Sequence, residues 1–159
     1  MATIFERHDH GACADAALAR ADQLADARGL RLTPVRRRVL EILLERHRAL
    51  GAYEVLERLA AEGLGKQPPV AYRALDFLVE NGLAHRIQRL NAFTACQSHH
   101  PDGAAPAFLI CRECQTVAEI DAADLRADLM TQAAGAGFAV ERTTIEAVGL
   151  CAACARGTA

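Results

Sequence analysis

A chain of 159 residues with 52% apolar and 24% charged side chains suits one or two small globular domains and excludes a disordered chain. No apolar run approaches the roughly 18 residues of a membrane span. The N-terminus, MATIFERHDHGAC, lacks the basic-then-apolar order of a secretion signal, so a cytoplasmic protein without a membrane partner is expected. The net charge of −2 hides a division. Residues 28–98 carry 12 basic against 7 acidic side chains, or +5, while residues 1–27 and 99–159 come to −3 and −4. A basic middle segment points to a local anionic partner.

Residues 1–14 read as a flexible arm, in which His8, His10 and Cys13 form an incidental cluster near a terminus. From Asp15 to Arg28 the chain is rich in Ala and Leu and stops at Gly29, the pattern of a leading helix. Thr33 and Pro34 then supply an N-cap and a first-turn proline. Val35, Val39, Ile42 and Leu43 recur at helical spacing behind them. Arg36, Arg37 and Arg38 crowd that helix start against its dipole, which is easier to explain if phosphates lie nearby. A short amphipathic helix covers Ala52 to Glu62. Pro68-Pro69 predicts an extended entry to a further helix from Val70 to Glu80, ended by Asn81-Gly82. Its buried stripe is Val70, Ala74, Leu75 and Leu78; Tyr72, Arg73, Asp76 and Glu80 share the other side.

A short helix, a turn and a helix with an aromatic-plus-Arg polar face fit helix-turn-helix geometry. Tyr72 and Arg73 suit contacts to bases and phosphates. Two strand-like runs follow, Leu83 to Arg89 and Ala92 to Cys96, with a hairpin turn at Leu90-Asn91. Three helices and a two-stranded ribbon make a winged helix, whose Arg86 and Arg89 can reach phosphates. Beyond the hinge, strands are expected at Ala107–Cys111 and Thr116–Asp121. A helix capped by Asp121 should run from Ala122 to Ala134, with Leu125, Leu129 and Met130 on one face, and a strand from Phe138 to Gly149. The expected class is α+β, with a winged helix over 15–97, a hinge over 98–106 and a small α/β dimerisation domain over 107–159. About 50 residues bury too little surface alone, so a metal and a partner subunit are expected.

Cys111, Cys114, Cys151 and Cys154 form C-x2-C-x36-C-x2-C. Each pair puts two thiolates on one tight turn, and two turns complete the four-sulfur set of a structural zinc site. A redox Cys-x-x-Cys would sit at a helix start after a strand of a parallel sheet, which neither pair predicts. A second set gathers near the hinge: His85, Cys96, His99, His100 and Glu119. One thiolate with imidazoles and a carboxylate suits zinc better than ferrous iron or manganese.

The runs LTPVRRRVLEIL, GAYEVLERL, PPVAYRALDFLVENGLAHRI, the lone Cys96, FLICRECQTVAE and GLCAAC resemble the ferric uptake regulator superfamily, and within it the zinc uptake regulator branch, from Leu32 to Cys154. The resemblance implies a zinc-activated repressor, not an enzyme, that takes no small-molecule substrate. It implies a homodimer on an inverted-repeat operator in double-stranded DNA, shutting off zinc-uptake genes, with two zinc ions per subunit. His85, Cys96 and Glu119 match the regulatory ligands, the four knuckle cysteines the structural site, and Tyr53 and Arg73 the DNA-contacting positions. Arg36 and Tyr72 join the DNA-binding set. Relatives usually carry their fourth ligand in a His-containing hinge nearer the knuckle, where this chain has Asp102 to Pro106. His99 or His100 substitutes, with His100 favoured. The rival readings are an iron- or peroxide-responsive member of the family, a thiol oxidoreductase, and a zinc-stabilised interaction module without DNA affinity.

Overall fold

The computed structural model describes Phe5 and residues 10–97 and 106–157, leaving His8, His99 and His100 outside. Eleven elements occur among the described residues: α1 (His10–Arg28), α2 (Pro34–Leu44), α3 (Ala52–Ala61), α4 (Pro68–Glu80), β1 (Ala84–Ile87), β2 (Ala92–Ala95), β3 (Ala107–Cys111), β4 (Val117–Ile120), α5 (Ala123–Gly135), β5 (Ile145–Gly149) and α6 (Ala152–Ala155). The α+β class expected from the sequence is what forms.

The helix α1 starts at His10, so residues 10–14 of the expected arm are helical. It buries Ala17, Ala21 and Ala25, a stripe spaced by four that allows close approach to the rest of the core. Gly29 ends it at φ 62°, and Leu30 N–H donates back to the Ala25 carbonyl at 2.8 Å, a Schellman closure. In α2, Thr33 Oγ1 accepts from Arg36 N–H and Pro34 fills the first turn. In α3, Gly51 has no side chain to cap with, and Glu54 reaches back to accept the Gly51 N–H at 2.9 Å.

Pro68 and Pro69 are not an extended lead-in. They form the first turn of α4, where a missing N–H costs nothing because that turn has no carbonyl to receive it. Ala71, Ala74, Leu75 and Leu78 of α4 are buried with Val39, Leu40, Ile42 and Leu43 of α2 and Val55, Leu56 and Leu59 of α3 in one core, which Leu83, Ala84, Phe93 and Ala95 extend into the ribbon.

The strands β1 and β2 pair antiparallel from Ala84–Ala95 to Ile87–Ala92. Asn91 takes φ 46° in the turn, a conformation its short polar side chain tolerates. A separate sheet has the order β4-β3-β5, with β4 antiparallel and β5 parallel to β3 and α5 on the crossover. The last strand covers only Ile145–Gly149, not the expected span from Phe138. The strand β3 has five residues, all already matched to 145–149, so residues 138–144 have no partner edge. At α5 the N-cap position is Ala122, while the Asp121 carboxylate, one residue earlier, accepts the Ala123 N–H at 2.9 Å.

A second apolar cluster joins ribbon and sheet: Ile87 and Ala92 meet Phe108, Ile110 and Val117, with Ala49 between. The segment between α2 and α3 touches both. His47 C=O accepts Val117 N–H at 2.8 Å, Arg48 bridges Thr116, and Leu50 exchanges two bonds of 2.8 Å with Phe93.

Candidate metal centres and nucleic-acid interface

The turn after β3 and the start of α6 bring the four knuckle cysteines together, their sulfurs all within 4.8 Å of one another. Gln115, at φ 59°, closes the first turn and donates to Cys111 C=O at 2.9 Å. Contrary to expectation, the second pair does sit at a helix start after a strand in parallel pairing, since Cys151 is the N-cap of α6 just past β5. It accepts the Cys154 N–H at 3.5 Å, while its own N–H points to the other pair, at Cys111 Sγ, at 3.4 Å. Burial opposes ionisation of Cys111. The amides of Cys151, Cys114 and Glu113 and the Cys114 thiol nonetheless hold its pKa down at about 6. Burial, bonds to the other three cysteines and the charge on Cys111 push Cys154 up to about 12. Four thiolates in this space need a cation among them. Zinc fits: Zn–S bonds of about 2.3 Å in a tetrahedron put sulfurs roughly 3.8 Å apart, and Cys114 Sγ and Cys151 Sγ stand 3.9 Å apart.

The second cluster is His85 from β1, Cys96 just past β2 and Glu119 from β4, again with ligand atoms within 4.8 Å of one another. The Glu119 side chain is 1% exposed and that of His85 18%. Glu119 Oε2 accepts the Gln97 N–H at 3.1 Å and lies 3.6 Å from His85 Nε2, while Oε1 lies 4.0 Å from Cys96 Sγ. The last two spans exceed a normal hydrogen bond and come close to the roughly 3.4 Å between donors sharing one zinc. A buried carboxylate needs charge compensation, and a cation among these donors supplies it. Thiolate, imidazole and carboxylate together suit zinc. The fourth expected donors, His99 and His100, fall outside the described residues. Cys13 is half-buried on α1 and belongs to neither cluster.

On α4, Tyr72 and Arg73 are exposed, and Tyr53 on α3 is 63% exposed. Of the three arginines at the start of α2, Arg37 and Arg38 are engaged by acidic partners within the chain. Arg37 pairs with Asp22 of α1. Arg38 grips Glu62 with two bonds, of 2.7 and 2.8 Å, and reaches Glu41 at 3.1 Å. Arg36 lies 3.6 Å over the Phe77 ring and donates to Arg31 C=O at 2.7 Å, bracing α2 against α4. In the wing, Arg86 donates to Asn91 Oδ1 at 2.7 Å. Two connections carried no sequence signal because they depend on tertiary placement alone. Arg20 of α1 donates to Gln97 C=O at 3.2 Å, and Glu146 of β5 accepts the Gln88 and Arg89 amides at the wing tip.

Residues 27–148 match the model of the ferric uptake regulator family. The chain is 38% identical over 137 residues to the zinc uptake regulation protein of Escherichia coli, an alignment covering 86% of this chain and 80% of that protein. Among solved structures it is similar to a zinc uptake regulator complexed with zinc and DNA (TM-score 0.85, 36% identity, 91% of this chain and 96% of that one). It is also similar to holo XcZur (TM-score 0.77, 38% identity, 87% and 96%). Against apo XcZur, at 39% identity over 89% of this chain and 97% of that one, the TM-score falls to 0.51. Sequence divergence does not account for that fall, since identity is 38% in one comparison and 39% in the other. Motifs, fold and relatives agree: the chain belongs to the ferric uptake regulator family, in its zinc uptake regulator branch.

Proposed function

We propose that the protein is a zinc-responsive repressor that binds DNA when its second donor cluster holds zinc. The observation that carries the reading is where that cluster lies. His85 and Cys96 belong to the wing and Glu119 to the three-stranded sheet, so one ion engages both parts. Zinc would supply a single positive charge centre that all three donors favour together. In this reading Cys111, Cys114, Cys151 and Cys154 hold a structural ion, and His85, Cys96, Glu119 and His100 or His99 a regulatory one, two per subunit. The units are a winged helix over 15–97 and a dimerisation domain over 107–159, joined by 98–106.

The likeness to the zinc- and DNA-bound relative, and the lower likeness to an apo form, support a population shift between two arrangements. The metal then binds the DNA-competent arrangement more tightly; a hundredfold bias takes about 2.7 kcal/mol. α4 enters the major groove with Tyr72 and Arg73, Tyr53 meets the backbone beside it, and Arg36 steadies α4 while offering its remaining donors to phosphate. The homodimer is supported by α5, which buries no residue in the single chain although it carries Leu125, Leu129 and Met130. A regulator of this kind works where the chromosome is, in the cytoplasm.

Cys96 in the second cluster favours zinc over the nitrogen-and-oxygen sets of iron sensing. Convergence of all four knuckle sulfurs favours a closed metal site over a redox pair. The test is fluorescence anisotropy with DNA from the chain's own promoter, with zinc and then with chelator, alongside zinc content per subunit. Zinc-dependent, sequence-selective binding is expected. Equal affinity under both conditions removes zinc response from the proposal, and no affinity in either removes DNA binding.

A further inference from the structure

We propose that Glu146 is a positioning residue: a metal-independent clamp that holds the tip of the wing in the DNA-competent arrangement. Its carboxylate spans two consecutive backbone amides, Oε1 accepting from Gln88 N at 2.6 Å and Oε2 from Arg89 N at 2.9 Å. These are charge-assisted bonds across 58 and 57 residues of sequence, from β5 to the turn between β1 and β2. Backbone donors in a turn have no ladder partner of their own, so the carboxylate satisfies two groups that otherwise turn to water.

The sheet register explains why Glu146 points there. Phe108 of β3 stands opposite Glu119 on β4 and opposite Glu146 on β5. Residues paired across a sheet share a face, so the three form one row turned toward the wing. Phe108 packs in the cluster with Ile87 and Ala92 of the wing. Glu119 meets the base of the wing at His85 and Cys96, and Glu146 meets its tip. The wing thus meets the sheet at its base through the metal donors, at Ile87 and Ala92 through apolar packing, and at its tip through the Glu146 carboxylate. The apolar contact is non-directional, and the two amide bonds add a directional attachment that fixes the orientation of the tip. Glu146 lies in neither donor cluster, so its contribution is separable from zinc binding.

The proposal rests on the zinc-responsive reading for its effect on DNA, and its test has an arm that does not. Glu146→Ala and Glu146→Gln are compared with the parent as full-length, zinc-loaded protein. Amide hydrogen exchange of Gln88 and Arg89 should quicken at least about tenfold in Glu146→Ala, while amides paired within β1 and β2 keep their protection. Zinc content and dimer state should stay as in the parent. Operator affinity with zinc should fall about tenfold in Glu146→Ala and less in Glu146→Gln, which keeps the length and one acceptor oxygen. Unchanged exchange at both amides overturns the clamp. Faster exchange with parental operator affinity overturns its role in positioning. If Glu146→Ala does not fold, the isosteric Glu146→Gln decides by the same two measurements. If the parent itself binds no operator, the functional reading has failed, and the exchange arm alone then decides the clamp.

Discussion

The imidazole of His85 lies against the ring of Phe108, with centroids 5.3 Å apart and planes inclined by 56°. The contact limits rotation of the imidazole and keeps Nε2 turned toward Glu119, so an apolar side chain of the sheet orients a metal donor of the wing. Phe108→Ala should therefore do two things. It should cost about 3–5 kcal/mol of stability, as removal of a buried ring does, and it should weaken the regulatory site while the four-cysteine site keeps its ion. Calorimetry and zinc titration against a competing chelator measure both. Parental affinity at both sites would show that the ring does not orient His85.

Cys96→Ser removes the thiolate from the mixed cluster and leaves the knuckles alone. On the proposed reading, zinc content should fall by one ion per subunit, the dimer should persist by sedimentation, and zinc should no longer raise operator affinity. Retained zinc response in this variant would remove Cys96 from the sensor.

Cys114→Ser acts on the other site. Cys114 is the exposed member of its set, so the serine hydroxyl is sterically easy to place; the loss is that of a ligand. A structural zinc contributes roughly 10 kcal/mol or more to folding, so the variant should unfold over 107–159 or become monomeric. A stable, zinc-depleted dimer at the four-cysteine site would contradict a structural role.

Arg73→Ala should weaken operator binding by roughly 1–3 kcal/mol. If Arg73 reads a base, discrimination should relax at one base pair of the operator and remain elsewhere. If it grips phosphate, the loss should be uniform across sequences and the salt slope should become shallower by about one. A parental binding curve would take Arg73 out of the interface.

Hydrogen bonding from Arg38, outweighing the desolvation that opposes it, lowers the pKa of Glu62. A group with a lowered folded pKa adds stability above its unfolded value, near 4.3, and loses it as pH falls through the folded value. As pH falls below the unfolded value, the parent should therefore lose more stability than Arg38→Gln, measured by urea unfolding along a pH series. Parallel curves would show that the pair makes no net contribution.

The parts that could be read from sequence are those whose chemistry repeats locally. The cysteine pairs announce themselves by spacing, since two thiolates on one turn have few other uses. Ala74, Leu75 and Leu78 of the α4 core stripe follow from helical period, although Ala71 and not Val70 is its fully buried first member, and Asn91 and Gly29 follow from the positive φ their turns need. Other features are decided by partners far away in the chain. Glu146 is an ordinary acidic residue on a strand until β5 pairs with β3 and brings it to the wing tip. The reach of β5 is set by the five residues of β3, whatever the alternation from Phe138 onward. Arg37 and Arg38 look like a basic patch until Asp22 and Glu62 are seen beside them. Pro68-Pro69 reads from the sequence as an extended lead-in, and the structure instead places both in the first turn of α4, where Ala71 and Ala74 pack into the core.

The connection between α2 and α3 bonds to β2 through Leu50, to β4 through His47, and to Thr116 just before β4 through Arg48. Surface loops usually accept insertions freely, because their backbone answers only to water. Here a single added residue would move one of those attachments out of register, and the two sheets would no longer meet the same short segment together. Its length is consequently under constraint from both sides at once. Variation among descendants of this chain should then change the side chains of residues 45–50 far more readily than their number.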